Sequence, residues 1–376
     1  MMQALIPPAN IGAHVDDVDT PALLVDLDVF ELNLQKLADH VADTHVRLRP
    51  HSKTHKSVAV ALRQMALGAA GICCQKVGEA EAMVLGGVNN VLVTNQIVGA
   101  TKLARLAGIA RQAWVGVCVD DATNVADLNE AALSAQSSLN VLVEINVGAG
   151  RCGVSSAENA LSLARQIAAA PGLRFAGLQA YQGSAQHKRT VEERRDAIDQ
   201  AVSFTRETVE LLERNGLNCE IVGGAGTGTY ELEAASGIYN ELQAGSYVFM
   251  DADYARNRGT DGGPFSTFGH SLTILTTVMS VAVEGKWVVD AGLKAHATDH
   301  GMPTVVGYPG GTYGRPSDEH GVLTFEGDGP RPQLGDKVRL IPGHCDPTVN
   351  LYDWLVGIRS DRVECLWPVS ARGALR

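Results

Sequence analysis

From Thr20 to about Met250 the chain alternates short β-branched runs with longer helical stretches, and this alternation constrains the fold more than any other feature. Nine runs have the length and residue types of strands: 21–27 (PALLVDL), 46–53, 71–76, 90–96, 114–120, 140–147, 174–181, 219–226 and 239–247. Ala-, Leu- and Glu-rich segments with helical spacing separate most of them, such as DVFELNLQKLADHVADT and TVEERRDAIDQAVSFTRETVELLERNG. Strand–helix repetition at this pitch builds a parallel sheet, either an eight-stranded barrel or an open doubly wound sheet. Nine runs fill eight barrel positions with one left over, and no GxGxxG follows the first strand. The expected class is α/β, with a TIM-like (β/α)8 barrel.

After about Asp253 the texture changes. ARNRGTDGGPFSTFG reads as a loop, and short strands without intervening helices follow, among them SLTILTTVMSVAV, KWVVDAG, KVRLIPG and YDWLVGIRSDRVECLW. RSDRVE between two apolar runs has the form of a hairpin turn. The expectation is a second, mainly antiparallel β domain. The assigned boundaries are 22–255 for the barrel and 1–21 plus 256–376 for the β domain. The leftover first segment is the candidate for a strand missing from that second sheet.

Composition narrows the function. With 31 basic against 42 acidic side chains the formal charge is −11, and no long basic run occurs. That argues against nucleic acid or an anionic membrane as partner. No run of eighteen apolar residues occurs, and the N-terminus lacks a basic segment leading into an apolar one. Seven scattered cysteines without metal-type pair spacing read as reduced thiols, so a soluble cytoplasmic enzyme is expected. The 40 glycines, about 11% against a usual ~7%, suit tight turns and close backbone approach to a ligand.

Active sites of parallel barrels form at the carboxyl ends of the strands. The second run ends VRLRPHSKTHK, where Arg49, His51 and Lys53 share one side of an extended chain. If that side faces the lumen, Lys53 stands at the mouth, desolvated and able to form a Schiff base. A surface lysine in a βα loop fits the same pattern, and Lys56 is a competing amine. GGAGTGTY (223–230) and AGSY (244–247) place small residues after successive strands, where barrels hold phosphate, although each alone is also a tight turn. Arg151 lies in a Gly-rich loop, Tyr181 at a strand end and His187 in the loop beyond. In PGHCDPT, His344 and Asp346 on an extended segment would project together and could hold one divalent ion; a polar turn before Pro347 is the alternative. Asp318, Glu319 and His320 could form an outer shell or nothing.

Taken in order, RPHSKTHKS, ICCQKVGEAEA, GAGRCGV, LQAYQGSAQH, GGAGTGT, ELQAGSYVFMDADY and PGHCDPT resemble the D-threonine aldolase family of pyridoxal-phosphate enzymes, over nearly the whole chain. YNELQAGSY, MDADY and the ending WPVSARG resemble bacterial 3-hydroxyaspartate aldolases at least as well. The resemblance implies an alanine-racemase-like fold and a carbon–carbon lyase that cleaves D-β-hydroxy-α-amino acids by a retro-aldol reaction, as a homodimer. It implies Lys53 as the Schiff-base lysine. Gly226, Thr227, Gly228, Gly245, Ser246 and Tyr247 would lie at the cofactor phosphate, Arg151 at the pyridine ring, and Gln75 and Tyr181 along the pocket. It further implies His187 as catalytic base, with His344 and Asp346 on Mn²⁺, Mg²⁺ or a similar ion. Related dehydratases carry H-x-C where this chain has His344-Cys345-Asp346, which makes β-elimination the rival reaction. A barrel that binds the cofactor without catalysis is a further alternative, and it leaves the second domain unexplained. A β-carboxylate on the substrate would need a cation, for which Lys188, Arg189, Arg256 and Arg258 are candidates.

Overall fold

The computed structural model describes residues 6–376; residues 1–5, assigned above to the β domain, lie outside them. The first strand, β1 (Ala22–Asp26), leads into a helix over Leu27–Ala42. The strands that follow are β2 (Arg47–Leu48), β3 (Ile72–Cys74), β4 (Asn90–Gln96), β5 (Trp114–Val119), β6 (Leu139–Glu144), β7 (Leu173–Gln179), β8 (Ile221–Gly224) and β9 (Glu241–Leu242). Strands β2 to β9 form one all-parallel sheet in the order 2-9-8-7-6-5-4-3. Its two ends meet where His51 bridges Cys73 and the Cys73 N–H donates to the Pro50 carbonyl at 2.8 Å. Each side chain choice suits this closure. Cys73, Leu92, Cys118, Leu142, Ala176 and Ile221 pack together in the lumen, while the alternating valines of β4, β5 and β6 pack outward on the helices.

A polar plug replaces apolar packing beside β2. The Arg49 Nε donates to Glu241 Oε1 at 2.8 Å, and its guanidinium lies 5.0 Å from the Trp114 ring centroid. Arg49 and His51 therefore face inward, as strand alternation predicts. Gly177 sits beside a bulge between β6 and β7, at φ +136°, and a Cβ there would lie 1.9 Å from the Ile221 carbonyl oxygen. Only glycine lets β7 come that close to β8.

The second sheet contains β10 (Leu272–Ser280), β11 (Trp287–Val289), β12 (Thr304–Val306), β13 (Gly311–Gly314), β14 (Gly321–Phe325), β15 (Lys337–Ile341), β16 (Trp354–Arg359) and β17 (Arg362–Pro368). Its main path is 13-14-11-10-1-16-17, with β15 on β10 and β12 on β15. Every pairing is antiparallel except β1 with β16. The placement of β1 corrects the boundary: Ala22–Asp26 belongs to this sheet, so the barrel does not begin at residue 22. β1 is buried on both faces between β10 and β16, which explains its unbroken apolar run. Ser360 and Asp361 turn the β16–β17 hairpin, with Ser360 at φ +52°. One apolar cluster runs from Leu23, Ile274 and Leu355 of this sheet to Leu48 and Leu242 of the barrel, so the two layers share a core.

Gly177→Ala should cost about 3 kcal/mol and lower the melting temperature by about 5 °C or more in scanning calorimetry, without shifting strand content in circular dichroism.

Candidate active site

Lys53 lies in a 3-10 turn over Ser52–Thr54, directly beyond β2. His51 caps the turn: its Nδ1 accepts the Lys53 backbone N–H at 3.2 Å, which leaves the proton on Nε2 for the Thr94 hydroxyl at 3.0 Å. Burial, then the nearby Lys53 ammonium, hold the His51 imidazole well below its usual range, so it is neutral. Ser52 donates to the buried Glu79 at 2.5 Å, and Glu79 accepts the Gln75 N–H at 3.1 Å, which ties this turn to the end of β3. Lys56 is removed from contention. It is buried at φ +48°, its backbone carbonyl accepts the Ala371 N–H at 2.9 Å, and its amine points at the Ala371 carbonyl under the C-terminal tail.

Lys53, Gln75, Arg151 and Tyr181 line a cavity of about 170 Å³ at the barrel mouth, and Gly226, Thr227, Gly245 and Ser246 form another part of its wall. The Arg151 guanidinium stands 5.8 Å from the Tyr181 ring centroid. The Thr227 hydroxyl is buried and has no hydrogen-bond partner among the described residues, which marks the Gly226–Thr227 corner as built for an acceptor. Gly245 packs so closely on His51 and Thr54 that a Cβ would lie 2.7 Å from the Thr54 hydroxyl. Two expected members differ. Gly228 faces away from the cavity, donating its N–H to Gln186 Oε1 at 2.9 Å. Tyr247 is buried in the shared core, where its hydroxyl accepts from Gln64 at 3.1 Å.

The β domain reaches two residues of this wall, Lys53 and Ser246. Asp346 is paired with Lys53 and lies 3.4 Å from the Ser246 hydroxyl. Burial alone would raise the Asp346 carboxyl, but the Lys53 ammonium and the neighbouring His344 hold it well below the carboxylate range. The expected extended segment at His344–Asp346 is not found. A short helix begins at Cys345, with His344 as its N-cap, and Pro347 fits because the first helical turn needs no N–H from it. The His344 Nδ1 is 2.7 Å from Asp299 Oδ2, so Nδ1 carries the proton and Nε2 is free to bind a metal.

His187 lies in a 3-10 turn over Gly183–His187 after β7, with its Nδ1 2.7 Å from Asp253 Oδ2. Arg189 and Arg256 both grip the other oxygen, Asp253 Oδ1. Two of the three arginines nominated for a β-carboxylate, Arg189 and Arg256, thus already serve a carboxylate of the protein. The backbone carbonyls of Lys188 and Arg189 accept from the buried Arg194, at 2.9 and 3.1 Å. The Arg258 carbonyl accepts from it at 2.6 Å. Glu319 pairs with Lys294 on the surface at 2.6 Å.

Sequence reasoning passed over several residues here. His300 stacks on His344, with ring centroids 4.2 Å apart and planes 3° from parallel, and meets His187 edge-on at 4.6 Å. Tyr254 lines the cavity and packs on His187. Asp253 was visible in MDADY without a role, and Thr94 as a polar residue near a strand's carboxyl end; Asp299 and His300 carry no such local signal. Ligand atoms of His187, Asp253 and His300 lie within 4.8 Å of one another, as do those of Asp299, His300 and His344. Two guanidinium groups on Asp253 oppose a dication at the first grouping, whereas Asp299 pairs only with His344 and His300.

Behind the glycine-rich corner, Gln186 donates to the Thr229 hydroxyl at 2.8 Å and Thr229 donates to the fully buried Glu233 at 2.9 Å. Burial raises the Glu233 carboxyl to about 8, against the Thr229 bond that lowers it. The folded chain therefore keeps a proton that the unfolded chain releases. The stability this contributes is complete below the unfolded value of 4.5 and disappears as pH rises through about 8. Glu233→Gln, neutral and isosteric, should raise the melting temperature at about pH 9 and leave it nearly unchanged at about pH 5, as read by calorimetry.

Residues 25–253 match the alanine racemase N-terminal domain family, and residues 271–358 match a serine dehydratase domain. A D-threonine aldolase from an Arthrobacter species is 48% identical over 374 residues, spanning 99% of this chain and 98% of the relative. A 3-hydroxy-D-aspartate aldolase of Paracoccus denitrificans is also 48% identical, over 97% of this chain and 95% of its own. The crystal structure of D-threonine aldolase from Filomicrobium marinum superposes with a TM-score of 0.95 at 50% identity, covering 98% of this chain and all of the other. A D-threo-3-hydroxyaspartate dehydratase from Delftia is only 28% identical, over 88% of this chain and 92% of the relative. The likeness extends along nearly the full chain of the D-threonine aldolases and covers both the barrel and the β domain, and the protein belongs to the D-threonine aldolase family.

Proposed function

We propose that this enzyme cleaves D-β-hydroxy-α-amino acids between Cα and Cβ, using pyridoxal phosphate and a divalent metal, to give glycine and an aldehyde or glyoxylate. The observation that carries the reading is Lys53 at the barrel mouth, between the unpartnered Thr227 hydroxyl and the Asp346 carboxylate of the β domain. The cavity fits the cofactor. Lys53 supplies the amine for its carbonyl. Gly226, Thr227, Gly245 and Ser246 would hold the phosphate, with Thr227 donating the hydrogen bond it does not make within the protein. Arg151, a permanent cation, would meet the pyridine nitrogen and cannot hand it a proton. When bound, pyridoxal phosphate supplies an electron sink for the Cα–Cβ bonding pair, and a divalent ion supplies a Lewis acid for the β-hydroxyl.

His344 through Nε2 and Asp346 through its carboxylate would hold the metal, and two such donors suit Mn²⁺ or Mg²⁺. Asp299 behind His344 fixes its ring. His187, packed on the cavity-lining Tyr254 and separated from His344 by the His300 ring, takes the β-hydroxyl proton. Elimination as in the dehydratases is the weaker reading, because the thiol here is Cys345. Its side chain is buried, and burial together with Asp251 and Asp346 keeps the thiol well above its usual range, while the position two residues after His344 holds an aspartate in place of a thiol. Among the described residues no helix is long and apolar enough to cross a membrane. The homodimer rests on the family resemblance and the cytoplasmic location on the seven scattered cysteines read as reduced thiols, and light scattering checks the dimer.

Product analysis tests the reading. Purified protein with pyridoxal phosphate and Mn²⁺, given D-threonine and D-3-hydroxyaspartate separately, should yield glycine with acetaldehyde or glyoxylate. Ammonia with a 2-oxo acid would establish elimination instead. Lys53→Ala should abolish turnover, and exhaustive chelation should abolish it until Mn²⁺ is restored. Asp299→Asn should weaken Mn²⁺ binding by about 10-fold in calorimetric titration.

A further inference from the structure

Asp253 is buried, with 3% of its side chain exposed, yet carries a charge met by Arg189, Arg256, His187 and His300. Its Oδ1 accepts from Arg189 Nη2 at 2.6 Å and from Arg256 Nη2, and Oδ2 takes the His187 Nδ1 at 2.7 Å, with the His300 Nδ1 farther off at 3.3 Å. Burial opposes the charge, but Arg189, Arg256 and His187 hold the carboxyl well below its ordinary range. The carboxylate cannot turn. Arg189 also grips the Asp253 carbonyl at 2.9 Å and Asn257 at 2.7 Å, and Arg256 grips the His300 carbonyl at 2.7 Å. Arg194 then joins the carbonyls of Lys188, Arg189 and Arg258, stitching the His187 loop to the Asp253 loop.

The groups facing His187 are Arg189 from its own loop, Asp253, Tyr254 and Arg256 from the next, and His300 edge-on, with Asp299 and His344 beyond His300. With two guanidinium groups on its carboxylate, this cluster is suited to holding a proton in place rather than a metal.

We propose that Asp253 is the positioning carboxylate of the His187 base: it fixes the neutral imidazole as the Nδ1–H tautomer, so that Nε2 presents the lone pair that takes the substrate proton. The inference rests on the reading of His187 as base. In that step the β-hydroxyl proton moves to His187 Nε2. The O–H pair closes the new C=O bond, and the Cα–Cβ pair is left on Cα. A base in the other tautomer would present Nε2–H to the hydroxyl and could not accept its proton.

Asp253→Asn tests this without changing shape. Arg189 and Arg256 would claim the amide oxygen and turn its NH₂ toward His187. Nδ1 would then have to accept, placing the proton on Nε2, as in serine proteases whose triad aspartate is replaced by asparagine. We expect kcat to fall by about 10³-fold, with KM, the absorbance of the lysine-bound cofactor and Mn²⁺ affinity unchanged. Combined with His187→Ala, the variant should lose nothing beyond His187→Ala alone. A kcat within about threefold of wild type, where His187→Ala is crippled, would overturn the proposal and leave the base assignment standing. An active His187→Ala would instead overturn the base assignment, and the proposal with it. If Asp253→Asn does not fold, ¹⁵N-histidine NMR of the wild-type holoenzyme at alkaline pH reads the tautomer directly. Nδ1–H on His187 is expected, and Nε2–H would refute the proposal.

Discussion

The contact between Lys53 and Asp346 joins the two halves of this molecule at the point where its chemistry occurs. Lys53 extends from a turn that the barrel fixes through His51 and the Ser52–Glu79 bond. Asp346 extends from a short helix of the β domain, whose first residue, Cys345, donates its N–H to the buried Asp251 at 2.9 Å. Neither layer alone presents both groups. The continuous core from Leu23 and Leu355 to Leu48 and Leu242 holds them at one distance, so the apolar packing acts on the site as well as on stability.

A second theme is the repeated pairing of histidine with aspartate through Nδ1. His187 leans on Asp253 and His344 on Asp299, and in both the bond occupies Nδ1 and leaves Nε2 outside the pair. The surroundings give the two pairs different work. Arg189 and Arg256 load Asp253 with positive charge, which suits a base that handles a proton. Asp299 has no such arginine, which suits a histidine that binds a cation. His300 lies between the two rings and keeps them apart.

Much of this was legible from residue order. Strand–helix alternation identified the barrel, and the inward side of VRLRPHSK named Arg49, His51 and Lys53 before any contact was known. The glycine corners were legible for the same reason, because barrels put ligands after strands. What the sequence hid depends on tertiary contact. Ala22–Asp26 has the apolar run of a barrel strand, and only the count of nine runs for eight positions marked the first segment as a candidate for the second sheet; its pairing with β10 and β16 places it there, although the expected boundary fell at residue 22. His300 and Asp299 lie in a loop with no periodicity. Tyr247 follows two small residues that line the cavity, but its ring turns into the core. The His344–Asp346 segment was misread as extended because spacing alone does not reveal that Thr348 bonds back to the His344 carbonyl and starts a helix.

The account rests on Lys53 as the amine that carries the cofactor, with Lys56 closed off beneath the C-terminal tail. Borohydride reduction of the holoenzyme, followed by digestion and mass spectrometry, tests this directly. The mass of the reduced cofactor should appear on Lys53, in the peptide that contains RPHSK. Finding it on Lys56 or on a surface lysine, with Lys53 unmodified, would contradict the arrangement of the site described above.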